Sequence, residues 1–240
     1  MTNAEKNEIL VKAKEWFKDS VGVNHIKNTK KLSRLKEFKV NPFTFIYLSN
    51  FLTGDSSARS IAKALIYPRA LGTSINTTFG NNIQKFTSDV LGGYASTTSG
   101  IDIEFIDQVD GRRKYCQLKA GPNTINKDDV TTISGHFKGV KNLARTNNLQ
   151  IQFNDLVVAM VYGKPSEISG HYKALTTKHD YPVLAGQEFW YRLTGDQQFY
   201  SSLVKAVGEV AIDADYSKEL ESIIDALAEE IDIDRMIDDI

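Results

Sequence analysis

Between Gly100 and Lys119 the chain reads Gly-Ile-Asp-Ile-Glu-Phe, then Asp110-Gly111, then Tyr-Cys-Gln-Leu-Lys. Asp-Gly between two alternating segments is the sequence signal of a β-hairpin with a two-residue turn. With Asp110 and Gly111 as that turn, residues whose numbers sum to 221 face each other, so Glu104 lies opposite Gln117 and Asp102 opposite Lys119. Side chains alternate faces along a strand, and these four therefore share one face. Ile101, Ile103, Phe105, Cys116 and Leu118 take the other face and suit a core. Two carboxylates, an amide and an amine on one surface can hold a hard cation and meet a phosphate. Phosphodiester hydrolysis needs an activated water, in-line geometry and compensation for charge on the phosphate oxygens, all of which Mg2+ can supply. Magnesium takes oxygen ligands and keeps several waters. Asp102, the side-chain oxygen of Gln117 and the backbone carbonyl of Leu118 are the candidate ligands. Glu104 can restore the negative charge that Gln117 lacks, and Lys119 can orient the attacking hydroxide and the scissile phosphate. The competing reading is a solvent-facing hairpin with a cross-strand Asp102–Lys119 ion pair, worth about 0.2–1 kcal/mol. The apolar reverse face and the Gly-, Ser- and Thr-rich loops on either side weigh against it.

Other chemistries find little support. His25, His136, His171 and His179 have no ligand spacing with one another, which argues against zinc. A single cysteine, Cys116, excludes an intrachain disulfide and falls on the apolar face as a core residue. There is no phosphate-binding Gly-x-x-x-x-Gly-Lys-Ser/Thr loop and no dinucleotide fingerprint. No apolar run is long enough to cross a bilayer, and the polar N-terminus lacks the order of a signal peptide, so a cytoplasmic setting without membrane contact is expected. The net charge of −1 hides a split: residues 207–240 carry 12 acidic and 2 basic side chains, whereas residues 1–40 carry a net +5. A basic body suits a polyanionic partner such as nucleic acid, or is ordinary solvated surface.

The elements that must position the hairpin follow from periodicity. Helices are expected at 3–20, Phe43–Leu52 (strongly apolar and expected to be buried), Ala58–Tyr67, Asn81–Leu91, 126–146, Gln187–Leu193 and 198–211. Asn24–Lys39 is a basic helix or an arm along a phosphate backbone. Pro68 should stop its helix, leaving Arg69–Gly80 as a polar loop that is either a connector or a phosphate contact. Asn126 is a helix N-cap with Asp128 and Asp129 in the first turn. Leu156–Tyr162 is an uninterrupted apolar strand, Tyr181–Ala185 a shorter one, and Ser217–Ile240 an acidic amphipathic helix that caps the core or pairs with its twin. The expected organisation is a helical N-terminal region at 1–55 for DNA binding or dimerisation, a core at 56–206, and the acidic segment 207–240. The fold class is α/β, a central mixed sheet flanked by helices.

At these residues the sequence resembles PD-(D/E)xK Type II restriction endonucleases, in particular the subfamily that cuts interrupted GGNCC-type palindromes. Besides the metal motif, the blocks that carry the resemblance are Val40-Asn-Pro-Phe43, Thr78-Phe-Gly80, Gln117-Leu-Lys-Ala-Gly121, Val161-Tyr-Gly163 and Gly186-Gln-Glu-Phe-Trp190, in order. The resemblance implies a prokaryotic homodimer on double-stranded DNA, cleavage of both strands with Mg2+ (or Mn2+ in its place), and a cognate DNA methyltransferase as genetic counterpart. Asp102 and Lys119 match the family's catalytic aspartate and lysine, while Gln117 departs from the acidic residue usual there. Gln84 takes the place of a supporting glutamate. DNA contacts are expected from Arg69, Thr73, Ser74 and Asn76 on the backbone, and from Asn123, Thr124 and Lys164 on the groove side. Two other readings stay open: a repair or junction-resolving nuclease of the same fold, and a DNA-binding protein with a degenerate site.

Overall fold

The computed structural model describes residues 1–214 and 216–238. The chain begins with helices α1 (Asn3–Trp16), α2 (Val23–Lys31), α3 (Phe45–Thr53), α4 (Ala58–Pro68), α5 (Ile75–Asn81) and α6 (Ile83–Asp89). Strands β1 (Ile103–Ile106) and β2 (Arg113–Lys119) follow, then α7 (Lys127–Thr146), β3 (Leu156–Met160), α8 (Gly170–His179) and β4 (Val183–Ala185). Helices α9 (Gln187–Thr194), α10 (Phe199–Ala214), α11 (Ser217–Glu230) and α12 (Ile233–Asp238) complete it. Two compact units form, Met1–Trp16 with Asn82–Gly208, and Phe17–Asn81 with Glu209–Ile240. The segments of the two units interleave along the chain.

The first unit is built on a four-stranded sheet ordered β1-β2-β3-β4, with β1 antiparallel to β2 and the remaining pairs parallel. Every residue of β3 is buried, as an unbroken apolar run requires when both faces are covered. On one face Leu156, Val158 and Met160 join Phe137 of α7 and Tyr172 of α8 in a single cluster. On the other, Cys116 and Leu118 are buried and Phe105 meets the Phe189 ring edge-on, with centroids 6.2 Å apart. Phe86 of α6 continues that layer between Trp16 (4.8 Å) and Trp190 (6.2 Å). Burial pushes the Cys116 thiol well up, in keeping with a core residue. Asn126 caps α7 as expected: its Oδ1 accepts from the backbone N–H of Asp128 (2.8 Å) and Asp129 (3.0 Å), and Asp129 reaches back to Asn126 N–H. This box starts a 20-residue helix shortly beyond Lys119 and sets which of its side chains return toward the strand ends. Helix α8 was not expected, because only Tyr172 and Leu175 mark its buried side.

The second unit packs Ala62 and Ile66 of α4 against Leu32, Ile223, Ile224 and Leu227. The acidic helix α11 therefore caps a core, one of the two roles expected for it. Its carboxylates also meet the basic segment: Lys30 pairs with Glu219 at 2.8 Å and Arg34 with Glu230 at 3.1 Å. The charge split is thus partly neutralised inside this unit, and Asn24–Lys39 is helix followed by a short 3-10 turn.

Three expectations here are corrected. Arg69–Gly80 is helical, a π-turn at Arg69–Ser74 running into α5. α4 does end at Pro68, where Arg69 N–H turns back to Ile66 O, but the chain continues in the wider turn Arg69–Ser74 rather than as a loop. Phe43–Leu52 does form a helix, but only Phe45 and Ser49 of α3 are buried. The C-terminal amphipathic stretch breaks at Ile231–Asp232 between α11 and α12, and its last two residues lie outside the described residues.

Candidate active site

The hairpin is closed by a six-residue loop, Asp107–Arg112, rather than by a two-residue turn. Asp107 N–H bonds Arg112 O at 2.9 Å and Gly111 N–H bonds Asp107 O at 2.8 Å. Buried charge sets this loop. Asp107, fully buried, accepts from Val109 N–H and from Arg192, each at 2.8 Å. Lys114, only 2 % exposed, reaches Asp110 and lies 3.2 Å from Asp155, which also binds Arg112 through both oxygens. Burial pushes the Asp155 carboxyl up, but Arg112, the Gln152 N–H and Lys114 outweigh it and hold the group at about 2. Satisfying these charges together outcompetes the local preference of Asp-Gly for a tight turn.

The pairing is consequently Ile103 with Cys116 and Glu104 with Tyr115, so facing numbers sum to 219 instead of 221. A slip of two residues preserves the faces. Asp102, Glu104, Gln117 and Lys119 keep their common side, but Asp102 rather than Glu104 comes level with Gln117, and the Asp102–Lys119 ion pair of the competing reading is absent among the described residues.

Asp102 immediately precedes β1 and is anchored by its own N–H to Cys116 O at 3.0 Å. Its Oδ2 accepts from Leu118 N–H at 2.7 Å, which seats the carboxylate against the centre of the Gln117–Lys119 run. Burial pushes the Asp102 carboxyl up; the Leu118 N–H, Lys119 and His136 oppose that without cancelling it. Gln117, 5 % exposed, donates from Nε2 both to Gly100 O and to Nδ1 of His136, the latter at 2.6 Å. Its oxygen remains the free end of the amide. Gly100 must be glycine: its φ is +78°, and a Cβ would sit 2.4 Å from the His136 ring. His136 was not among the expected site residues. The only signal for it in the sequence is its place one residue before Phe137, at the edge of the buried stripe of a helix capped just past Lys119. Lys119 makes no ion pair among the described residues.

Glu104 has three donors of its own. Ser96 (2.6 Å), Thr98 (3.0 Å) and Arg113 (3.0 Å) all donate to it. Burial pushes its carboxyl up, yet these donors outweigh that and leave it below its ordinary value. Among the described residues no three His, Cys, Asp or Glu side chains gather as a metal-binding group.

The remaining expected residues scatter. Gln84 is exposed on α6. Thr124 bonds Gly121 O at 2.8 Å and the Tyr172 hydroxyl at 3.1 Å, while Asn123 and Lys164 are exposed. Arg69, Thr73, Ser74 and Asn76 belong to the other compact unit. There Arg69 donates to Glu37 O and lies 5.0 Å from the centre of the Phe38 ring, and Asn76 is exposed.

The mixed sheet thus brings Asp102, beside the antiparallel edge strand, to the Gln117–Lys119 run of β2. A family model, Type II restriction endonuclease EcoO109I, matches residues 11–215. The chain belongs to this family of Type II restriction endonucleases, site-specific deoxyribonucleases that bind DNA and use divalent metal ions. The interrupted GGNCC-type subfamily suggested by the sequence blocks fits that match. No curated protein matches the chain. No helix among the described residues is long and apolar enough to cross a membrane.

Proposed function

We propose that the chain is a Mg2+-dependent endonuclease of the PD-(D/E)xK type, with Mn2+ able to substitute, and that it cuts both strands of its DNA site as a homodimer. The observation that supports this most is the bond from Leu118 N–H to Asp102, which binds the carboxylate to the middle of the Gln-Leu-Lys run. The donor set fits a hard cation: one carboxylate, the Gln117 amide oxygen and the Leu118 carbonyl, all oxygen, with water for the remainder. When bound, Mg2+ polarises the phosphate and eases deprotonation of water. Asp102 supplies the negative charge, and its buried carboxyl gains most from a neighbouring cation. Gln117 presents Oε1 because Gly100 and His136 occupy its nitrogen. Lys119 meets the scissile phosphate and steadies the attacking hydroxide. Glu104 holds the Ser96–Thr98 loop beside the site and does not complete the metal shell. In a prokaryotic cytoplasm such an activity requires a cognate methyltransferase to protect host DNA.

The test is digestion of plasmid DNA with Mg2+. Discrete fragments, with Lys119→Ala inactive but binding DNA within about tenfold of the parent, support the proposal. No cutting in either Mg2+ or Mn2+ would sink it, and a preference for branched over linear duplex would point to a junction-resolving enzyme instead.

A further inference from the structure

From Pro42 to Gly54 the chain has 13 consecutive residues without a charge, in a protein that is 25% charged. This stretch is α3 and its approach. Phe45 (1 %) and Ser49 (0 %) turn inward, and α3 packs on α4. The opposite side presents Phe43 (92 % exposed), Tyr47 (65 %), Leu48 (44 %), Phe51 (78 %) and Leu52 (47 %). Five of the 15 large hydrophobic side chains exposed among the described residues thus fall within ten positions. The Tyr47 and Phe51 rings stack with centroids 6.1 Å apart, forming one ridge at i, i+4 spacing; Leu48 and Leu52 form the next.

We infer that this outer face of α3 is the seam along which a second copy of the same chain docks, the two α3 helices lying antiparallel about a two-fold axis near Leu48. Three features select that occupant. The exposed area of the five side chains is roughly 600 Å², as large as the largest apolar patches of monomers. Doubled, it reaches about 1,200 Å², the lower bound of stable protein interfaces. Parallel i, i+4 ridges are self-complementary, since the ridge of one helix fits the groove between the ridges of its mate. The flanks also complement each other: exposed Lys36, Glu37 and Lys39 leave a net positive charge before α3 and exposed Asp55 follows it. An antiparallel pair brings the basic flank of each copy to the acidic flank of the other, and opposes the helix dipoles. The seam rests on the homodimer of the proposed function only for its purpose, a two-fold pair of sites for two antiparallel strands.

The test is the mass of the full-length protein by sedimentation at about 1–10 µM, with the circular dichroism and melting of each variant measured alongside. The parent should be dimeric, and Phe51→Glu and Leu48→Glu monomeric with unchanged spectra. Because the one native cysteine, Cys116, is buried, Leu48→Cys gives a single accessible thiol. It should form a covalent dimer on mild oxidation, whereas Leu149→Cys on the other unit should not. A monomeric parent overturns the inference. So does a Phe51→Glu protein that stays dimeric, or one that stays dimeric but loses DNA binding, which would make the patch a DNA contact. Cleavage is scored separately with the parent protein. Cutting by a dimer that survives both glutamate variants refutes this seam and leaves the endonuclease standing, while an intact seam without cutting does the reverse.

Discussion

Restoring the acid usual at position 117, by Gln117→Glu, should damage the protein rather than improve it. The amide nitrogen of Gln117 gives one proton to Gly100 O and one to His136 Nδ1, in a position that is 5 % exposed. An ionised carboxylate there has no proton for Gly100 O, and it meets the His136 Nδ1 lone pair as long as the imidazole keeps the tautomer that accepts from Gln117. Leaving a buried acceptor without its donor costs about 1–3 kcal/mol, so two such losses sum to roughly 2–6 kcal/mol. For a chain of this size that is a fall in Tm of about 4–24 °C. The sign with pH follows. The site disfavours the charged form, so the folded pKa of the introduced carboxyl lies above its unfolded value of about 4.3. The part of the penalty that comes from the charge is then absent below that value, grows as pH rises toward the folded pKa, and is complete above it. In its protonated form the introduced side chain can still donate to one of its two acceptors. Melting curves in chelator at pH 5 and pH 8 should therefore show the larger loss at pH 8. Adding His136→Gln, whose amide can donate to the introduced carboxylate, should recover at least half of that loss. A Gln117→Glu protein as stable as the parent at pH 8, or a double variant no better than the single, refutes the proposed hydrogen-bond arrangement.

Asp102→Asn should abolish cleavage while raising the metal-free Tm at pH 8, because burial makes the ionised carboxylate costly and asparagine can still accept from Leu118 N–H; a lower Tm contradicts this. Asp155→Asn should destabilise by about 3–5 kcal/mol in urea unfolding at pH 7, since it strips buried Lys114 of a partner. The Asp155 carboxyl sits at about 2, below its ordinary value, so its contribution is complete above about pH 4 and fades as pH falls through about 2; the gap between parent and variant should narrow over that window. Gly100→Ala should reduce Mg2+ binding measured by calorimetry as well as cleavage, because its Cβ would displace His136 and with it Gln117; unchanged affinity would detach His136 from the site.

The shared face of the candidate site was legible because it is local. Asp102, Gln117 and Lys119 lie in two short alternating segments, and period-two geometry puts them on one face whatever even register they take. That is why the wrong turn still yielded the right side of the ribbon. What could not be read was the pairing partner of each residue. Asp-Gly speaks for a two-residue turn, but Asp155 and Arg192, 43 residues or more from the loop residues they bind, decide otherwise. The same holds for His136, which only the path of α7 brings to Gln117, and for Glu104, whose donors Ser96 and Thr98 reach it from the preceding loop. Arg69–Gly80 misled for a different reason. Gly, Ser, Thr and Asn lower helix propensity without forbidding helix, and flanking helical turns carry the segment through.

By itself the sequence determined the strand that must be buried, the capped start of α7, the apolar and polar faces of the hairpin and the residue types able to meet a phosphate. These depend on periodicity and on bonds a few residues long. The tertiary structure alone decided the register of the hairpin, the orientation of the Gln117 amide, the donors that hold Glu104 and the exposure of α3. Each of these depends on which distant charges or apolar surfaces are brought together, and short-range preferences worth under about 1 kcal/mol yield when a buried charge or a core must be satisfied.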